Sequence, residues 1–75
     1  IGGGYEIMTL YEYLYEEAFR RNETVEEFAN KMGLSKATIF RIQHRAPSRT
    51  TYHKISEYLD QDVMELKHMP IHKES

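Results

Sequence analysis

The residues with the clearest chemistry are cationic and lie close together. Residues 35–54 hold Lys36, Arg41, Arg45, Arg49 and Lys54, with His44 and His53, and not one acid. The flanks have the opposite sign. Residues 1–34 carry seven acids against three bases, and residues 55–75 five against two. A net charge of −2 therefore conceals an acid–base–acid order, and a basic block on an acidic chain is the footprint of a polyanion site. The competing reading is a solvated surface on which these bases pair with neighbouring acids.

Other chemistries find less material. The chain has no cysteine, which excludes disulfides, thiol catalysis and zinc ribbons and fits a cytoplasmic setting. No nucleophile, base and orienting group stand at a recognisable spacing, and Glu16 and Glu17 read as a solvated helix face, so the chain is not expected to be an enzyme. His68 and His72 are four apart with Pro70 between them and no third ligand, so neither a metal nor a cofactor is expected. His44 and His53 read as phosphate neighbours or exposed polar groups. The longest apolar run is Tyr13-Leu14-Tyr15, far below the ~20 residues a membrane span requires. No signal peptide is legible.

Seventy-five residues make one small domain with a modest core. The apolar spacing divides it into helices. Thr9-Leu10-Tyr11-Glu12 has the form of a capping box, and Leu10, Leu14 and Ala18 recur at helical spacing up to about Arg21. Thr24-Val25-Glu26-Glu27 repeats that form and opens a second helix, to about Met32, closed by Gly33 in the left-handed region. Ser35 caps a third helix through about His44. Ser48 caps a fourth, to about Leu59, with Tyr52, Ile55 and Leu59 inward. Asp62 opens a short fifth, Val63 to Leu66. No stretch alternates with period two, so no strands are expected. Residues 1–8 read as a flexible, glycine-rich start, with Met8 as a plausible native first residue. Residues 9–66 form the domain, and 67–75 a frayed polar tail.

The second and third helices are joined by Gly33-Leu34-Ser35 alone, and so tight a corner is demanding. Ala29 must be small where the helices cross, Gly33 must reach positive φ, and Leu34 must plug the turn. Phe28, Met32, Ile39 and Ile42 must be apolar. Five correct apolar positions at this composition arise by chance in about 1% of cases, so the segment signals a helix-turn-helix.

The run Glu27-Phe28-Ala29-Asn30-Lys31-Met32-Gly33-Leu34-Ser35-Lys36-Ala37-Thr38-Ile39, with the later Pro47, Ile55, Leu59, Glu65 and Leu66, resembles the Cro/lambda-repressor-type (xenobiotic-response-element-like) helix-turn-helix family from about Leu10 to Leu66. The resemblance implies an all-α, compact five-helix DNA-binding domain. Three positions depart from the family pattern. The loop after the third helix is short and lacks its usual glycine (His44-Arg45-Ala46), Gln43 replaces a glutamate, and Arg49 occupies a usually apolar position.

With Ile39 and Ile42 inward, periodicity turns Ala37, Phe40, Arg41 and His44 outward, with Lys36 beside them. The family places base contacts at the positions of Lys36, Ala37 and Arg41. Arg41 or Lys36 suits guanine, and Ala37 or Phe40 a thymine methyl. The alternative for Phe40 is to anchor a protein partner or to pack. Thr24, Ser35 and Thr38 fit phosphate oxygens at helix starts, and His44, Arg45, Arg49 and Lys54 supply further phosphate contacts. The expected function is sequence-specific binding of double-stranded DNA by a transcriptional regulator, most simply a repressor, of bacterial, phage or mobile-element origin. The rivals are a protein-interaction module on the same fold, antitoxin-like or a phage inhibitor protein, and the DNA-binding part of a longer regulator. A single domain grips few phosphates, so a homodimer, at least on DNA, is expected. Its surface is sought in Val63–Met69 with Ile71 ahead of the surplus tyrosines of the first helix.

Overall fold

The structure, a computed structural model, describes residues 8–72. It consists of five helices, α1 (Leu10–Arg20), α2 (Val25–Lys31), α3 (Lys36–Arg41), α4 (Arg49–Leu59) and α5 (Val63–His68). Among the described residues there is no strand. The flexible start expected at residues 1–8 lies outside them except for Met8, which is partly exposed.

Each helix starts where a short polar side chain satisfies a free backbone amide. Thr9 and Glu12 complete a reciprocal capping box at α1, and Thr24 and Glu27 another at α2. Ser35, Ser48 and Asp62 cap α3, α4 and α5. The inward faces then converge on one core. Leu10, Leu14 and Ala18 of α1 meet Phe28 and Ala29 of α2, Ile39 of α3, Tyr52, Ile55 and Leu59 of α4 and Leu66 of α5, with Met32 and Ile42 closing the gaps. Ala29 is fully buried, consistent with a position where only a small side chain lets helices approach closely.

Three helices end in one way. At α2, Gly33 takes φ +78°, its N–H donates to Asn30 O, and the Leu34 N–H reaches back to Ala29 O at 2.8 Å. This pair of crossed bonds is a Schellman closure. The ends of α1 and α4 adopt the same left-handed turn without glycine, on Asn22 (φ 61°) and Asp60 (φ 57°). There, Glu23 N–H bonds Ala18 O and Gln61 N–H bonds Ser56 O. The left-handed turn expected at Gly33 is present, and the two at Asn22 and Asp60 are additional.

Two helix ends differ from expectation. The third helix does not reach His44. It stops at Arg41, and the chain tightens into three-residue turns, Ile42 N–H to Ile39 O, Gln43 N–H to Phe40 O and His44 N–H to Arg41 O. Pro47 disfavours the helical conformation at Ala46, so the chain leaves helix before the connector, and tight turns of this kind are common at helix C-termini. The fifth helix runs past Leu66 to His68. Lys67 and His68 favour its negative C-terminal end, and Met69 turns extended before Pro70. Residues 69–72 are anchored where a frayed tail, 67–75, was expected, and the remainder of that tail lies outside the described residues. Leu10 N–H donates to Pro70 O at 2.9 Å, Met69 and Ile71 pack on the core, and a ring nitrogen of His72 hydrogen-bonds His44 O at 3.0 Å.

Candidate nucleic-acid interface

The α2–α3 corner sets the direction of α3. Burial of Ile39 and Ile42, both 1% exposed, turns the opposite side of α3 to solvent. Lys36, Ala37, Phe40 and Arg41 are all exposed there, and His44, Arg45 and Arg49 continue the exposed surface past the helix end. The side of α3 opposite Ile39 and Ile42 is thus the exposed one.

Its electrostatics are one-signed. The ion pairs among the described residues join Arg20 and Arg21 to Glu17, and Lys31 to Glu23. Lys36, Arg41, Arg45, Arg49 and Lys54 take part in none of them. The basic block is thus left un-neutralised, against the reading in which neighbouring acids absorb it. Arg41 and Arg45 also share a cleft with Thr38, Pro47, Ser48 and Thr51, where the ends of α3 and its connector meet the start of α4.

The hydroxyl residues proposed to touch phosphate already have structural work. Ser35 Oγ accepts from Thr38 N–H and lies 3.0 Å from Thr38 Oγ1. Thr24 Oγ1 accepts from Glu27 N–H. Their remaining hydrogen-bonding capacity still faces solvent, since Ser35 and Thr24 are exposed and Thr38 half-buried. Lys54 is placed differently from the other cations. Its Nζ donates to Gly33 O at 3.2 Å, and its side chain lies against the glycine. It therefore braces the α2–α3 corner from α4.

Phe40 is 40% exposed and leans towards α1. Its ring centroid lies 6.2 Å from Tyr11, which in turn stacks on Tyr15 at 6.2 Å. The outward face of α3 is bordered on that side by an aromatic row.

No family model, curated protein or solved structure matches this chain. Its chemistry has to be read from its own residues.

One feature away from the basic face escapes sequence inspection. Glu23, in the α1–α2 connection, accepts from Lys31 Nζ at 2.6 Å and from Tyr58 Oη at 3.1 Å. Tyr58 packs edge-on against Phe28 and lies under the Arg21 guanidinium. The hydrogen bond from Lys31 holds the Glu23 carboxyl below its ordinary value, against the effect of burial, and the same bond raises Lys31. The other carboxylate oxygen, Oε1, is buried without a partner. The signal available in advance was the i, i+8 pair Glu23/Lys31, a spacing that no single helix brings together. Among the described residues no group of three or more His, Asp or Glu is placed to hold a metal, and no helix is long and apolar enough to cross a membrane.

Proposed function

We propose that this chain is a helix-turn-helix DNA-binding domain of the lambda-repressor-like architecture, a binding module and not an enzyme, that reads a short duplex site with the outward face of α3. The observation that carries the reading is the exposed cationic surface Lys36, Arg41, Arg45 and Arg49, free of ion pairs with the chain's many acids. In this reading α2 and α3 are the two helices of the motif, with Gly33 at its corner. Lys36, Ala37 and Arg41 meet base edges, and Phe40 covers a thymine methyl. Arg45 and Arg49 hold the backbone, while the Ser35 and Thr38 hydroxyls approach a phosphate at the start of α3. Lys54 contributes indirectly, by holding the corner. The role that follows is transcriptional regulation, most simply repression by occupying a site.

The test is selection of bound sequences from a pool of random duplex DNA. Enrichment of one motif containing a guanine that Arg41 or Lys36 contacts is expected. Binding of all duplexes alike, or of none, would overturn the reading and leave a protein-interaction module on the same fold.

A further inference from the structure

The apolar surface of α1 is wider than the core it serves. Leu10, Leu14 and Ala18 are buried, but Tyr11, Tyr15 and Phe19 form a second row at the same spacing, beside the first. Tyr15 is 56% exposed and Phe19 85%. Together the two rows cover about half the circumference of the helix, against the ~100° arc that a surface helix normally buries. A phenylalanine left this open next to stacked tyrosines is a patch in want of a cover.

The charges of α1 indicate which cover fits. They are polarised along the helix, with Glu12, Glu16 and Glu17 ahead and Arg20 and Arg21 behind. Glu12, Glu16 and Arg20 also share one row, at i, i+4 and i+8, on the rim of the aromatic stripe. A second α1 laid antiparallel across the first, with the two-fold axis at Tyr15, sets Tyr15 against its own copy and Phe19 against Tyr11. With a rise of 1.5 Å per residue, Glu12, whose carboxylate also accepts from Thr9 N–H, then lies about 3 Å along the axis from Arg20 of the other copy, an exposed guanidinium that would share its charge between this carboxylate and its own Glu17. Both ends of the pair repeat this contact, as a two-fold interface requires. A parallel pairing would set like charges side by side.

We propose that the Tyr11–Tyr15–Phe19 face of α1 is a self-association surface, on which a second copy of this chain docks antiparallel with Tyr15 at the two-fold axis. The dimer is weak and concentration-dependent, because helices of this length bury an area at the low end for specific interfaces. The C-terminal surface favoured from sequence alone has lost its main apolar groups to the core, where Met69 and Ile71 pack. Only Met64 of that set stays well exposed. The inference is independent of DNA binding and is tested without DNA.

The absence of cysteine makes the register measurable. Under mild oxidation Tyr15→Cys is expected to cross-link to itself. Phe19→Cys, whose two copies lie about 12 Å apart along the axis, is expected to do so at least tenfold more slowly. In sedimentation the parent associates as its concentration rises. Phe19→Gln weakens that association about tenfold or more with unchanged melting, as Phe19 is 85% exposed, and Arg20→Glu weakens it as well, with a small loss of melting temperature because it also breaks the ion pair with Glu17. Glu16→Gln tightens it, because the two Glu16 side chains meet near the axis. A parent that stays monomeric at millimolar concentration, equal cross-linking at positions 15 and 19, or weaker association of Glu16→Gln, as a basic protein partner would produce, each overturns the proposal.

Discussion

Individual side chains divide the basic surface between two tasks. Arg41 lies on the outward face of α3 and Arg45 past its end, yet both line one cleft. In the proposed complex Arg41 meets bases and Arg45 meets phosphate. Arg41→Ala is therefore expected to cost about 1–3 kcal/mol on the selected site and much less on unrelated duplexes. Arg45→Ala should weaken both alike and lower the slope of log K against log salt by about one. Lys54→Met has a third signature: lower thermal stability and affinity with an unchanged salt slope, since its ammonium is bonded to Gly33 O. Titrations at several salt concentrations separate the three, and a uniform loss for Arg41→Ala would remove it from the reading set. The positive charge of all these residues was legible in the sequence, because a run of bases without acids is a matter of counting. The lean of Phe40 onto Tyr11 was not, because its position on α3 admits a base, a protein partner or a packing role, and only the place of α1 decides which neighbour is near.

Helix ends carry the tertiary geometry. The left-handed turn at Gly33 could be foreseen because glycine is the residue that enters that region cheaply. Those at Asn22 and Asp60 could not, since Asn and Asp also cap helices and fill ordinary turns. The difference predicts opposite effects of substitution. Gly33→Val puts a β-branched residue at φ +78° and should cost a few kcal/mol, enough to unfold much of the population of so small a domain at 37 °C. Asp60→Gly relieves a left-handed non-glycine residue and removes a negative charge from the C-terminal end of α4. It should stabilise by up to about 1 kcal/mol and raise Tm by a few degrees. Melting curves of the two variants check both signs. The early end of α3 belongs at this scale as well. Periodicity carries on through Ile42, and the connector geometry that ends the helix depends on where Ser48 and α4 must start.

At the scale of the molecule, Glu23 ties the α1–α2 connection to α2 and α4 through Lys31 and Tyr58. Its carboxyl is held below the ordinary value by the Lys31 hydrogen bond. Its contribution to stability is therefore fully present above the unfolded-state value near 4.5 and is lost as pH falls through the lower folded-state value. Lys31 is shifted upward, so its share is present below 10.5 and fades as pH rises beyond that. Glu23→Gln should melt earlier than the parent at neutral pH and converge with it in acid. Melting temperatures from pH 7 to pH 3 measure this, and a gap that persists at low pH would show that the loss is not electrostatic.

The bond from Leu10 N–H to Pro70 O sets the start of α1 beside the segment that follows α5. Chain leading into Leu10 and chain leaving Pro70 thus pass through one small region of the surface. A fold whose entry and exit coincide can be spliced into a loop of an unrelated host as a self-contained bead, without prising the host's strands or helices apart. By the same geometry, cargo joined directly ahead of Leu10 or directly after Pro70 would emerge from a single pole, the two attachment points little more than the width of a strand pair apart.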